Sequence, residues 1–374
     1  MVLGVILLLS GATVSGQTTL YVDASATGPG HDGSSWCTAF IELHEALAVV
    51  AAGDVIRVAD GVYRADPTGL ADPREATFAL SNGVTIEGGY ASCGAPDPDQ
   101  RDIEQNETIL SGDLLANDPD IDDYRGCCNS TFAPGCPDEV CAAAVCAEQS
   151  LCCNIQWQTS CAELAADLCS TLCDSKDDNA YHVVTASGTD ETAILDGTSI
   201  TAGFANVGNI PSDHNVGAGM YMIGGSPTVQ SCTFRHNDAN TRGGGMYVEN
   251  GSPTLSACTF DNNRATSYDP DGAAEGGAFY LDTGDPNITD CTFLNNLAGR
   301  AGAHLRNSNG TIKGCTFRDN RGGTAISMSF SSPTIEGCLI IANGGGDLMR
   351  RIEPDDQELY YFGKLLTRNR DPGE

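Results

Sequence analysis

The sequence predicts an all-β fold, a right-handed parallel β-helix solenoid, from three observations. A short motif recurs in the C-terminal half at intervals of roughly 24 residues, as in solenoid proteins. Within each copy, apolar and polar residues alternate, which is typical of short strands with one buried face. The 374 residues also include 44 glycines and only 6% aromatic residues, which disfavours a helical protein. The right hand follows from the crossover rule for parallel strands.

The repeated motif is Cys-x-Phe-x-x-Asn, preceded by a turn. Its copies read SCTFRHN, ACTFDNN, DCTFLNN, GCTFRDN and the variant GCLIIAN. Their cysteines are Cys232, Cys258, Cys291, Cys315 and Cys338, and the paired asparagines are Asn237, Asn263, Asn296, Asn320 and Asn343. We expect the asparagine amides to bind backbone groups of neighbouring coils. We expect the cysteines to be free buried thiols, because stacked parallel side chains rarely reach a disulfide dihedral.

Two apolar columns, two residues apart, precede each motif and predict an inward-facing strand. The first contains Met220, Met246, Phe279, Ala303 and Ile326, and the second contains Met222, Val248, Leu281, Leu305 and Met328. After the turn, a third column and the phenylalanines of the motif point inward again. Like residues then stack from coil to coil about 4.8 Å apart, and residues 179–346 form the β-helix repeats.

Residues 17–113 are expected to cap the solenoid and to form its first coils. Trp36, Phe40, Leu43 and Leu47 have the spacing of one helix face, and this predicts a capping helix that ends at Gly53. Such a helix covers the strand edges of the first coil. Cys37 and Cys93 are candidates for a disulfide that fastens the cap to a coil.

The β-pattern stops in residues 114–178, where a cysteine-rich module is predicted as an insertion that projects from a turn. Its ten cysteines are Cys127, Cys128, Cys136, Cys141, Cys146, Cys152, Cys153, Cys161, Cys169 and Cys173. In an exported chain this density favours a disulfide-rich domain, with a short helix in its second half. A zinc or copper cluster is the alternative, since paired cysteines are also metal ligands.

Charge and hydropathy limit the cellular compartment and the binding partners that the protein can have. Residues 1–16 resemble a secretory signal peptide, and no later stretch has transmembrane length. Seventeen cysteines are typical of a protein in an oxidising compartment. We therefore expect a secreted or cell-surface protein, or one associated with an outer membrane. The net charge of -31 excludes nucleic acid as a partner, since phosphate binding needs a basic surface. Oligomeric state is left open.

The combination of Phe-x-x-Asn with a preceding Gly-Gly-Ala or Gly-Gly-apolar step, over about residues 217–345, resembles the repeats of chlamydial polymorphic outer membrane proteins. These repeats belong to the wider pectin-lyase-like superfamily of right-handed β-helices. The resemblance implies a surface-exposed or secreted protein, and several proteins of this kind are adhesins. The cysteine-rich run is similar to a CC…C…CC…W…CA module of exported bacterial proteins.

The column between the two inward columns is expected to face outward and is a candidate ligand-binding patch. It contains Tyr221, Tyr247, Tyr280 and His304, and Arg306 lies in the outward column two residues on. Aromatic rings beside carboxylates are typical of carbohydrate recognition. The competing interpretation is a sheet surface stabilised by stacked tyrosines and a charge ladder.

Catalytic and metal-binding candidates are weaker. Glu249 and Asp282 stand on adjacent coils, near the ~5 Å separation of a retaining glycosidase pair. Any two stacked acids meet that separation, and Arg306 would hold them ionised. Calcium is a candidate cofactor, with Asp269, Asp271 and Glu275 of the inserted loop as oxygen ligands, but a solvated acidic loop is the favoured interpretation of these residues.

The sequence therefore favours a structural, adhesive or carbohydrate-binding role, with a polysaccharide or a cell-surface component as partner. The alternative is a polysaccharide lyase or glycoside hydrolase of the pectin-lyase-like group. Residues 347–374 lose the repeat and are interpreted as a C-terminal tail or cap.

Overall fold

A computed structural model describes residues 17–116, 118, 139–154, 159–168, 176–207, 213–266, 274–344, 349–352 and 360–362. In these ranges the chain forms a parallel β-helix, as the sequence predicted. The repeated coils pass through sheet C, then sheet A, then sheet B, and four consecutive coils also have a strand in a short fourth sheet, D. Residues 1–16, for which a signal peptide was predicted, lie outside the described residues.

The sheets run along the axis of the stack. Sheet A consists of Thr19–Val22, Val55–Ala59, Thr85–Tyr90, Ile194–Asp196, Thr228–Gln230, Thr254–Ser256, Asn287–Thr289, Thr311–Lys313 and Thr334–Glu336. Sheet B consists of Gly61–Arg64, Thr108–Ser111, Thr198–Thr201, Thr233–Arg235, Thr259–Asp261, Thr292–Leu294, Thr316–Arg318 and Leu339–Ile341. Sheet C consists of Phe78–Ala79, Val184–Thr185, Met220–Ile223, Met246–Glu249, Phe279–Asp282, Ala301–Arg306, Thr324–Ser329, Met349–Ile352 and the antiparallel Tyr360–Phe362. Sheet D consists of Phe204–Ala205, Asp238–Ala239, Arg264–Ala265 and Leu297–Ala298.

Helices occur at the N-terminal end and in the cysteine-rich stretch. The α-helices are α1 (Leu43–Val49), α2 (Glu139–Glu148), α3 (Leu151–Asn154) and α4 (Thr159–Leu168), and single 3-10 turns span Trp36–Thr38, Pro73–Glu75, Lys176–Asp178 and Asp213–Asn215. The predicted capping helix is too long, because Trp36 lies in a separate turn and packs against Tyr21 and Tyr90. The helix α1 itself buries Leu43 against the first coils.

The core lies inside the coils and consists of the predicted inward columns. Met220 pairs in register with Met246, which pairs with Phe279, and all three side chains are fully buried. On sheet B the rings of Phe234, Phe260, Phe293 and Phe317 stack with centroids 4.5–5.0 Å apart. Each phenylalanine thus covers the face of the next, so the apolar core continues through the repeats.

The asparagine column ties consecutive coils together. The Oδ1 atom of Asn296 accepts hydrogen bonds from the backbone N–H of Asn263, at 3.0 Å, and from its Nδ2, at 3.1 Å. Its own Nδ2 donates to the carbonyl oxygen of Phe260 at 2.8 Å. Asn320 repeats the pattern one coil later, and Asn296 is 0% exposed. These amides satisfy backbone groups that the buried turn would leave unpaired, as the sequence indicated.

The cysteine column is free of disulfides. Cys232, Cys258, Cys291, Cys315 and Cys338 are all free thiols, and all are buried. The residue before each one is in the left-handed region, as at Ser231, Ala257 and Asp290 with φ of 52–53°. This conformation turns the chain between sheets A and B and directs the thiol into the core.

Three disulfides join described residues. Cys37 bonds to Cys93, Cys146 to Cys153 and Cys152 to Cys161, so the last two link α3 to α2 and to α4. Cys141 is also disulfide-bonded, whereas the candidates Cys127, Cys128, Cys136, Cys169 and Cys173 lie outside the described residues. The strand Thr108–Ser111 pairs directly with Thr198–Thr201, so the β-helix continues on both sides of the cysteine-rich stretch.

The asparagine column predicts that Asn296→Ala is strongly destabilising. The substitution leaves the Phe260 carbonyl and the Asn263 N–H without partners in a dry interior, at a cost of about 3 kcal/mol. The free energy of unfolding, measured by urea denaturation, checks this. Asn309→Ala is the matched control, since Asn309 is exposed and should change stability by less than about 0.5 kcal/mol. Equal effects of the two variants would contradict the structural role.

The five buried thiols should be unreactive in the folded protein at pH 8. Burial raises the pKa of Cys232 to about 11, so this thiol stays protonated and is shielded from reagents. Alkylation followed by peptide mass analysis should label all five column cysteines after unfolding and none before it. Cys37 and Cys93 should stay unlabelled without a reductant, and labelling of either would contradict the disulfide.

Candidate functional site

A row of aromatic side chains projects from the outer face of sheet C. Tyr221, Tyr247, Tyr280 and His304 occupy matching positions on adjacent strands. Their ring centroids are 5.8, 5.3 and 5.3 Å apart, and the planes of neighbouring rings differ by at most 8°. In-register pairing of the strands forces this arrangement, because identical side chains repeat at the strand spacing.

Most of this row is buried, contrary to the expectation of a solvent-exposed patch. Tyr247 is 7% exposed, Tyr280 0% and His304 1%. The Arg242 guanidinium lies over the Tyr280 ring, 5.1 Å from its centroid, and Val216 packs into the same cluster. The alternation along the strand correctly predicted that these side chains point away from the core. It did not reveal that the turns between sheets D and C fold over the rings.

One glycine per coil permits this cover. Gly217, Gly243 and Gly276 have φ of 60–63°, which side-chain-bearing residues rarely adopt. A Cβ at Gly217 would also press against the Cβ of Tyr247. Glycine therefore brings the turn close enough to shield the tyrosines from water.

The two catalytic candidates are held by neighbouring groups. Glu249 accepts a hydrogen bond from the Tyr247 hydroxyl at 3.0 Å. Asp282 forms an ion pair with Arg306 at 3.0 Å and accepts a hydrogen bond from Asn307 at 3.0 Å. Arg306 and Asp282 thus form part of a charge ladder. This is the arrangement that the competing interpretation of the column, a stabilised sheet surface, proposes.

Of the three calcium candidates, only Glu275 lies among the described residues. Asp269 and Asp271 lie outside the described residues. The carboxylate of Glu275 is engaged by two guanidinium groups, from Arg242 at 3.2 Å and from Arg300 at 2.7 Å. Two cations beside one carboxylate disfavour a metal ion at this position. Among the described residues, no group of three or more His, Cys, Asp or Glu side chains is placed to hold a metal.

At the N-terminal end of the aromatic row an open hollow of about 370 Å³ lies over sheet C. The same outward column contains Ala79 and Thr185 on the two strands before Tyr221, and these side chains are too small to continue the row. We call this space the Tyr221 hollow. Its walls are built mainly by Tyr181, His182, His214 and Tyr221, with the exposed carboxylates Glu75 and Asp213.

Stacked pairs hold the rings of the Tyr221 hollow in place. Tyr181 stacks on His214 with centroids 4.2 Å apart, and His182 stacks on Tyr221 at 4.5 Å. The Tyr181 hydroxyl donates to Asp72 at 2.9 Å, and the Nδ1 atom of His182 lies 3.0 Å from the carbonyl oxygen of Gly217. These contacts fix the walls before any ligand arrives.

Burial determines the protonation states of His182 and Tyr221. Removal from water lowers the pKa of His182 to about 4, so its imidazole is neutral at pH 7. Burial also raises the pKa of Tyr221 to about 12, with the charges of Asp213 and Glu249 as further causes. The Tyr221 hollow therefore presents the neutral His182 imidazole and the Tyr221 hydroxyl beside two carboxylates.

Of the predicted ligand-binding residues, only Tyr221 lines this hollow, and Tyr181, His182, His214, Glu75 and Asp213 were missed. They come from separate parts of the chain, and no spacing in the sequence joins them. One signal was present. Extending the tyrosine column two coils towards the N-terminus reaches Thr185 and Ala79, which predicts a gap in the row.

A scan against protein families matches residues 194–350 to the family model of the right-handed β-helix region. A search of curated proteins found no match. In the part of the chain that the structure describes, no helix is long and apolar enough to span a membrane.

His304 should make the protein less stable in acid. Burial lowers its pKa from 6.5 to about 4, so between these values the unfolded chain binds a proton that the folded chain does not. Stability is thus lost as the pH falls from about 6.5 to 4, by up to about 1.4 kcal/mol per pH unit. His304→Phe keeps the stacked ring and should reduce this slope in urea titrations.

The exposed Val49 provides the control for this measurement, because its side chain has no ionisable group. Val49→Ala should leave the difference in unfolding free energy between pH 6.5 and pH 4.5 unchanged. An unchanged slope in His304→Phe would show that His304 is protonated in the folded state.

Proposed function

We propose that this protein is an exported β-helix protein that binds a carbohydrate in the Tyr221 hollow. The observation that carries the proposal is the open hollow of about 370 Å³, where aromatic rings meet carboxylates and hydroxyls on the outer face of a rigid sheet. Its volume lies at the small end of the range for ligand sites and suits one or two sugar units.

The chemistry of the walls supports a sugar ligand. A sugar ring has apolar C–H faces and polar hydroxyl edges, so it needs rings and hydrogen-bonding groups in one place. His214 and Tyr221 provide half-buried rings, while Thr185 and Asp213 provide a hydroxyl and a carboxylate. Stacked neighbours already order the rings, so binding would cost little side-chain entropy.

Function outside the cytoplasm is part of the proposal. The disulfides Cys37–Cys93, Cys146–Cys153 and Cys152–Cys161 are typical of oxidising compartments. The signal-like residues 1–16 and the resemblance to chlamydial polymorphic outer membrane protein repeats favour the same location. A surface role in adhesion or in the cell envelope fits a binder without turnover.

A polysaccharide lyase or glycoside hydrolase of the pectin-lyase-like group is the second candidate. Glu249 and Asp282 do not line the Tyr221 hollow, and the carboxylate of Asp282 is held in an ion pair with Arg306 at 3.0 Å. The hollow contains carboxylates of its own in Glu75 and Asp213. Product analysis therefore belongs in every binding test.

Tyr221→Ala is expected to weaken carbohydrate binding by about tenfold, the effect of losing one aromatic contact of about 1.4 kcal/mol. His214→Ala should have a similar effect. Binding is measured by calorimetry against neutral and charged oligosaccharides, after circular dichroism has shown that each variant is folded.

Ile223→Ala is the matched control, because Ile223 is exposed on the same strand and does not line the hollow. Its affinity should equal that of the unmodified protein. Reducing ends or unsaturated products released from any oligosaccharide would favour the enzyme. Equal affinities of all three variants for every bound glycan would place the binding site elsewhere.

A further inference from the structure

Carboxylates dominate the charge of the Tyr221 hollow. The ionisable side chains that line it are Glu75, Asp213, Tyr181, Tyr221 and the histidines His182 and His214, and no lysine or arginine is among the described residues that line it. His182 is neutral at pH 7. Both carboxylates are exposed, so they remain accessible to a ligand.

Two further charged groups lie behind the walls. Arg74 lies over the Tyr181 ring, 4.1 Å from its centroid. Its guanidinium donates to the carbonyl oxygens of Asn179 and Phe204 and to Asn206, so these acceptors already hold it. Asp72 accepts a hydrogen bond from the Tyr181 hydroxyl, and its negative charge balances the positive charge of Arg74. Even with a proton on His214, the two carboxylates Glu75 and Asp213 would outnumber the cations at the hollow, so its net charge is negative.

This charge decides between classes of sugar. A uronic acid carries a carboxylate, and its recognition needs lysine or arginine, as other carboxylate sites do. Two carboxylates in the hollow and a net charge of -31 on the chain repel such a ligand. A protonated amine is attracted by the same carboxylates, and aromatic rings add a cation–π contribution.

We infer that the Tyr221 hollow selects a glycan with free amino groups, in which the ammonium pairs with Glu75 and Asp213 and the sugar ring packs against His214 and Tyr221. The inference rests on the proposed carbohydrate-binding function and names its ligand class. It disfavours polyuronates, the ligands that a pectin-like substrate would provide.

The test compares three tetrasaccharides of equal length by calorimetry at pH 6: β-1,4-linked glucosamine, its fully N-acetylated form and galacturonate. The free amine should bind about tenfold more tightly than the N-acetylated form, since two partly exposed ion pairs contribute roughly that factor. Galacturonate should bind most weakly. The double variant Glu75→Gln/Asp213→Asn should reduce the preference for the amine to less than about twofold.

Non-specific attraction of a cationic sugar to an acidic protein is excluded by a second double variant. Asp97→Asn/Glu104→Gln removes the same charge from exposed positions outside the hollow. It should keep the full tenfold preference, and an equal loss in both double variants would overturn the inference.

The outcomes distinguish a failure of the amino-sugar inference from a failure of the proposed carbohydrate-binding function. Binding of the N-acetylated or uronic tetrasaccharide as tightly as the amine, with weakening by Tyr221→Ala, overturns the choice of amino sugars and leaves carbohydrate binding intact. Binding of none of the three sugars overturns the amino-sugar inference, and failure of a wider panel of neutral sugars would then overturn the proposed function.

Discussion

The hydrogen bonds of the asparagine column are the constraint on which the rest of this structure depends. From Asn263 to Asn343, each amide oxygen of the column accepts two N–H groups from the asparagine of the preceding coil, so a shift of one residue would break both bonds. The column thus fixes the register of consecutive coils at a buried turn. Once the register is fixed, every other position of the repeat must stack on its equivalent, whether the side chain is a thiol, a phenylalanine or a tyrosine.

The candidate site follows from the same register. On sheet C the outward column reads Ala79, Thr185, Tyr221, Tyr247 and Tyr280 along the axis, and a ring begins only at the third of these coils. The small side chains leave the sheet uncovered where a ring would otherwise stand. Residues from neighbouring turns, His182 and His214 among them, then wall the space. A change of side-chain size within one column therefore creates the Tyr221 hollow.

The sequence was sufficient for the fold but not for the site, and the difference has a physical cause. Self-similarity reveals columns because each repeat contacts only its neighbours, so Met246, Phe260 and Asn263 could be assigned correctly from the motif. Alternation separates inside from outside but does not tell whether a turn covers the outer face. Tyr280 was for this reason expected in solvent and is fully buried. The Trp36 turn was likewise read as helix, since spacing alone does not distinguish two short elements from one.

The stacked row also explains why a shallow hollow could bind a ligand. A site on a loop must order its side chains when the ligand arrives, at a cost of about 0.5–1.5 kcal/mol for each side chain. Here Tyr221 already lies between His182 and Tyr247, and His214 already stacks on Tyr181. Their stacked neighbours provide the rigid support that a binding surface needs. The rings that the turns bury deeper in the row thus take part in recognition indirectly, since they hold in place Tyr221, the member of the row that lines the hollow.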